Sequence, residues 1–170
     1  MAKKSGMTVS GFPKFKAMLS KLGAAGPAAG AGALYREGER IMTTSKRDFV
    51  PTDLGPLRAS GHVVPPDVQS GRLVVVLAFG GAASEYAVYV HEGTGPAVGR
   101  PPFMPPPEAL EGWATRHGIP EENLFALARA IGRKGLTPTK YLETPLLEAA
   151  RDMDKRLAAD VRRDLERLGR

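Results

Sequence analysis

Residues 93–107, "GTGPAVGRPPFMPPP", constrain this chain more than any other stretch, because nine of the fifteen are proline or glycine. Proline removes a backbone donor and fixes φ, and glycine raises the entropic cost of order, so neither a helix nor a strand interior can run through the segment. Connections of this length inside a compact domain are usually functional or disordered. Pattern changes also flank it: helices and then strand-like runs come before, and helices alone come after.

Before it, "FPKFKAMLSKLGAAGPAAG" predicts a short amphipathic helix on Phe15, Met18, Leu19 and Leu22, stopped by Gly23. A second helix is expected from Ala28, with Leu34, Gly38, Ile41 and Ser45 at helical spacing. Glycines at 30, 32 and 38 each cost it about 1 kcal/mol relative to alanine, so it needs close packing on a sheet. Three runs then predict strands: "LRASGHVV" (57–64) before a Pro-Pro-Asp turn, "GRLVVVLAF" (71–79), and "EYAVYVHE" (85–92), whose two faces are both largely apolar. After the Pro-rich segment, helices are expected over "PEALEGWATRHG" and "PEENLFALARAIGRKG". A long final helix is expected from about Thr139, with Leu146, Ala150, Met153, Leu157, Val161, Leu165 and Leu168 as its stripe and Asp152 paired with Arg156 outside.

The expected fold is therefore α+β: a small antiparallel sheet of three or four strands packed with helices, plus a long C-terminal helix. A length of 170 residues predicts one folded domain with a remainder. The expected division is a basic Gly/Ala-rich arm with a short helix (1–26), a core (27–150) and a helical extension (151–170).

Net charge is +6, and it is concentrated at the start. Residues 1–47 hold nine basic against two acidic side chains, and Lys3, Lys4, Lys14, Lys16 and Lys21 precede any acid. Such a start fits DNA or an acidic protein partner, although a solvated arm is the commoner meaning of a charge run. With no cysteine, disulfides and thiolate chemistry are excluded. The longest apolar run, "LVVVLAF", is too short to span a bilayer, and the first residues lack the apolar centre of a signal peptide. A soluble protein made inside the cell, with no membrane partner, is the expectation.

Catalytic patterns fail on inspection. His91-Glu92 starts a zinc-protease motif, but Gly93-Thr94-Gly95 follows and the second histidine is missing. His62 and His117 have no recurrent ligand spacing with it. Neither "GTGPAVGRP" nor "GRKGLTPTK" ends as a P-loop does, and Ser60 does not sit in a nucleophile elbow. No enzyme activity, cofactor or metal is expected.

Three stretches together resemble one family. "VPTDLGPLRASGHV" is similar to its Gly-turn and Leu-Arg-x-Ser segment, "YAVYVHEGTG" to its Tyr-Ala-x-Tyr-Val run ending near Gly-Thr, and "RPPFMPP" with "ALARAIGRKGLTPTKYLETPLLEA" to its aromatic-proline loop and closing helix. That family is the tail-component or neck proteins of long-tailed bacteriophages, the Hong Kong 97-type gene product ten group, related to minor tail protein Z. The resemblance spans about residues 28–150, and Thr52-Asp53-Leu54-Gly55 departs from the usual Pro-Val-Asp-Thr-Gly turn. It implies a non-enzymatic virion protein, assembled in the host cytoplasm. Six copies would form a ring at the head–tail joint beside portal, adaptor, neck or tail-tube proteins, with DNA passing through. A ring needs one patch to meet a different patch on the next copy. The expected subunit-interface residues are Leu57, Arg58, Tyr86, His91, Glu92, Thr94, Phe103 and Met104. The rival expectation is a nucleic-acid-binding protein or assembly factor that uses the basic arm.

Overall fold

A computed structural model of the chain describes residues 7, 9, 11–51, 54–69, 72–81 and 84–168. It divides into two compact units, one of residues 1–84 with 141–170 and one of residues 85–140.

The first unit is organised around helix α2 (Gly26–Thr44), which follows the short α1 (Pro13–Lys21). The hairpin of β1 (His62–Gln69) and β2 (Arg72–Ala78) lies on one side of α2. The contact is close because of glycine. A Cβ on Gly38 would stand 2.9 Å from Val75 Cγ1 and 3.0 Å from Val63 Cγ1, and one on Gly30 would run into Leu73 and Leu19. Gly30 and Gly38, two of the three glycines that weaken α2 as an isolated helix, thus let it meet the sheet, whereas a Cβ on Gly32 would meet only the Arg36 side chain of the same helix.

Two further helices, α7 (Glu143–Ala150) and α8 (Met153–Leu168), complete this unit. Phe15, Ala33, Ile41, Met153, Leu157 and Val161 form its buried core, with Met18, Leu19, Leu22, Leu34, Leu77, Leu146 and Leu165 packed around them. The amphipathic stripe of α1 is therefore a core face. The Asp154 carboxylate accepts hydrogen bonds from the backbone N–H groups of Phe15 (2.8 Å) and Lys14 (3.3 Å), satisfying donors that a helix start leaves open. The expected final stripe is inward at Leu146, Met153, Leu157, Val161 and Leu165, with the Leu168 side chain outside the described residues, but the helix is not continuous. At Arg151–Asp152 the ladder tightens into a turn, and the Ala149 carbonyl accepts from the Asp152 N–H and the Arg156 guanidinium. Arg156 turns towards α2, so Asp152 pairs with Lys155 rather than with Arg156.

The sheet is the main correction. Among the described residues it has two antiparallel strands, not three or four. The expected first strand begins as a short helix, α3 (Gly55–Ser60), because Pro56 suits a first helical turn. β1 starts after it and runs through Pro65 and Pro66, which were expected to turn the chain. Val64 pairs with Val76 and Asp67 with Val74, so the two prolines oppose one residue in a bulge, where missing N–H groups are tolerated.

The expected third strand is helix α4 (Ser84–Glu92). Strand propensity for Tyr and Val is worth only about 1 kcal/mol and depends on a pairing partner. A helix here closes its own hydrogen bonds, and its end is well capped. The Gly93 N–H donates to the Tyr89 carbonyl with Gly93 at φ +72, a left-handed helix cap. The glycine expected to release a strand releases a helix.

The second unit also contains α5 (Glu111–Arg116) and α6 (Leu124–Lys134), each led in by a single 3-10 turn. Gly38→Leu should overpack the α2–hairpin contact and lower stability by about 1–3 kcal/mol. Thermal denaturation followed by circular dichroism would measure this, and an unchanged melting temperature would show that the hairpin yields.

Candidate functional site

In the second unit, the Pro-rich segment is built onto α6 and the strand-like residues after it. Thr94 and Leu136 exchange backbone hydrogen bonds, N–H to O at 2.9 and 3.1 Å, and the Leu136 N–H also donates to Thr94 Oγ1 at 3.1 Å. This bridge demands glycine opposite it: a Cβ on Gly135 would lie 2.0 Å from the Thr94 carbonyl oxygen. Further along, the Met104 backbone rests on Gly132, whose Cβ would stand 3.1 Å from Met104 Cα. The backbone is thereby seated at both ends of the segment. Its two large side chains nonetheless point outward, Phe103 58% and Met104 46% exposed. Val88, Tyr89, Phe125 and Leu136 are exposed in the same unit.

His91 and Glu92 lie at the C-terminal end of α4. The Val90 carbonyl accepts from both the N–H and the hydroxyl of Thr139, and the His91 carbonyl accepts from the Lys140 N–H. Carbonyls that a helix end leaves without partners are satisfied in this way. Lys140 holds φ +48, uncommon for a side chain-bearing residue, and its ammonium donates to Glu92 Oε2 at 2.7 Å. His91 Nδ1 lies 2.8 Å from Glu92 Oε1. The Lys140 bond, and then the His91 bond, hold the Glu92 carboxyl below its ordinary range. A cation at a helix C-terminus is also favoured by the macrodipole. The pair thus locks the exit of α4 to the segment that returns beside it.

The remaining expected interface residues separate by exposure. Tyr86 is half-buried in α4. In the first unit Leu57 is fully buried and belongs to the interior, with no surface to offer a neighbour. Arg58 is half-buried, donating from Nη2 to the Val50 carbonyl at 2.8 Å, where it closes the turn that follows α2. Ser60 donates to the Leu57 carbonyl and accepts from the Gly80 N–H, tying α3 to the end of β2. Only Phe103 and Met104 in the expected set are large, apolar and openly exposed.

Of the basic residues, Lys14, Lys16 and Lys21 are exposed on α1, while Lys3 and Lys4 lie outside the described residues. His62 and His117 each use Nδ1 to reach a backbone carbonyl, of Ser60 and Trp113 respectively, and the His117 ring stacks on Trp113 at 3.9 Å.

Sequence reasoning missed the densest charged cluster, which joins α2 to α8. Glu37 is buried; its Oε2 accepts from Arg40 at 2.8 Å and its Oε1 from Arg156 Nε at 3.0 Å. Asp160, also buried, accepts from Arg40 at 3.0 Å and lies 3.2 Å from Arg163, and Arg36 pairs with Asp164. Beside it is a cleft of about 250 Å³ lined by Glu37, Arg40, Ile41, Thr44, Glu148 and Arg156. The signal was present as acids at positions 160 and 164 of one helix and Arg36, Glu37 and Arg40 on another. Nothing in linear spacing pairs the two helices. Glu37 and Asp160 are each held by guanidinium groups, so the arrangement fastens helices.

No protein-family model, curated protein or solved structure matches this chain. No helix among the described residues is long and apolar enough to cross a membrane.

A depressed carboxyl stabilises the fold above the ordinary glutamate range, and that contribution fades as pH falls through the lowered value. Glu92→Gln should therefore be less stable than the parent near neutral pH, with the two converging on acidification. Chemical denaturation across pH would measure the gap, and a gap that stays constant into acid would show that Glu92 acts by packing alone.

Proposed function

We propose that this chain is a structural virion protein of a tailed phage, assembling as a ring of six at the head–tail joint, in the neck or at tail completion, with DNA passing through. The ordered likeness of three stretches to the tail-component family is the sequence support. The structural observation that carries the reading is the pair Phe103 and Met104, large apolar side chains left in solvent on a backbone seated against α6. A proline-rich loop already ordered loses little further entropy on docking, and an exposed aromatic anchor is the residue type that fills a neighbour's pocket. Such a contact joins unlike patches, as a closed ring requires. No enzymatic step, cofactor or metal is part of this reading.

Glu92, His91 and Thr94 enter the proposal indirectly, by fixing the loop whose tip docks. The partners would be further copies of the chain and the portal, adaptor, neck or tail-tube proteins on either side. A second reading rests on the exposed Lys14, Lys16 and Lys21: a basic helix that contacts DNA through phosphates, without reading sequence. The same contact could serve DNA in transit through a ring, or an assembly factor outside it.

In phage particles made without this gene, filled heads beside separate or irregular tails are expected by electron microscopy. Restoring the gene as Phe103→Ala/Met104→Ala should leave a folded chain that fails to restore joined particles. Normal joined particles without the gene would overturn the connector reading. If purified chain then bound DNA with an affinity falling steeply with salt, the basic-helix reading would take its place.

A further inference from the structure

The hairpin of the first unit is asymmetric in a way that the connector reading does not use. β1 is interrupted at its centre by Pro65 and Pro66 and the bulge they occupy, devices that discourage pairing with another strand. β2 carries no such device. From Leu73 to Ala78 it has neither proline nor charge, and β1 and α2 are the elements packed substantially against it. Its outward face is apolar and open, with Val74 51% and Val76 49% exposed beside Val64. The inward positions tell the same story: Val63 of β1 is buried, while Leu73, Val75 and Leu77 of β2 stay partly accessible.

The sequence of β2 also selects a partner. Residues 73–77 read Leu-Val-Val-Val-Leu, the same in both directions about Val75. An antiparallel strand of identical sequence, centred on Val75, therefore sets Leu73 opposite Leu77, Val74 opposite Val76 and Val75 opposite itself. Residues directly opposite share a face, so the helix-facing set meets its like and the outward valines meet theirs. No like charges are opposed, and Arg72 falls opposite Ala78 of the second copy. A one-residue slip would set inward against outward positions, so the pleat excludes it, and among the registers it allows only the one centred on Val75 sets both leucines opposite each other.

We infer that the edge of β2 opposite β1, unpaired among the described residues, is a self-association surface whose occupant is β2 of a second copy of this chain. Pairing gives a four-stranded antiparallel sheet in the order β1-β2-β2-β1 about a twofold axis. On its outward face one row reads Val64, Val76, then Val74 and Asp67 of the second copy, and the symmetry repeats it. Main-chain hydrogen bonds supply the attraction and the palindrome supplies the register, the division of labour in strand addition generally. This contact is isologous and uses residues other than Phe103 and Met104.

The test uses full-length protein in analytical ultracentrifugation over a range of concentrations. The parent should show a reversible twofold association, and Phe103→Ala/Met104→Ala should keep it. Val74→Lys/Val76→Lys places like charges opposite one another twice and should weaken the association about tenfold or more. Both positions are half-exposed, and circular dichroism checks that the fold is kept. Mixing that variant with Val74→Glu/Val76→Glu should restore association between unlike copies only. Because the chain has no cysteine, Val74→Cys and Val76→Cys can report register: mixed under oxidation, they should cross-link more readily than either alone. A parent that stays monomeric at every concentration overturns the inference. So does an assembly unaffected by the lysines, or one whose charge pairs do not rescue, since the contact would then lie elsewhere.

Discussion

The first unit depends on how closely α2 can approach the hairpin. A two-stranded sheet is marginal in water by itself and needs a partner on one face. Gly38 and Gly30 bring the backbone of α2 down onto Val63, Val75 and Leu73, at distances where a methyl group would have to displace a side chain. Seating α2 this way buries one face of the hairpin and leaves the other side of the helix free for α1 and α8. Phe15, Ala33, Leu157 and Val161 then close a core that no pair of these elements could form alone. The helix that looks weakest by intrinsic propensity is the one around which the others assemble.

Charge then decides how α8 lies on α2. Buried carboxylates are costly unless paired, and Glu37 and Asp160 are each held by guanidinium groups whose outer portions remain in water. Arg40 bridges both acids, and Arg156 reaches from α8 to Glu37 and to the Ala149 carbonyl exposed by the turn between α7 and α8. One arginine thus serves as interhelical tie and as local cap. The energetic worth of such half-exposed pairs is modest, but removing an arginine would leave Glu37 or Asp160 buried with fewer partners, which is costly.

Several of these features were legible in the chain. The stripes of α1, α2 and α8 follow helical spacing, and the need of α2 for a close sheet follows from its glycines. The Pro-rich segment declares itself irregular and its Phe103 and Met104 stand out as apolar anchors, but whether they fill the chain's own core or face solvent is decided by the seating of the loop on Gly132, which the sequence does not show. Residues 85–92 were not legible, because a run with two apolar faces has no period to distinguish strand from helix. The glycine directly after His91-Glu92 does not discriminate, because it fits both a strand exit and a helix cap. Pro65-Pro66 misled for a related reason: proline signals a turn unless a bulge absorbs it, and the bulge is set by β2. Leu57 was taken for an interface residue, whereas its burial comes from a short helix that its neighbours Gly55 and Pro56 initiate. The Glu37 cluster needs the tertiary pairing of α2 with α8, which no local pattern encodes.

The two exposed surfaces impose different symmetries. A loop tip that docks into an unlike patch is a heterologous contact, and a ring closed by it, as proposed, would have two distinguishable faces. Pairing of β2 with itself is twofold, and a twofold contact does not by itself close a ring about a single polar axis. If both contacts exist, the β2 pair belongs to the free protein, where it covers an edge otherwise open to aggregation. Assembly would then have to release that edge, leaving the main-chain donors and acceptors of β2 available to an extended segment of whichever protein lies next.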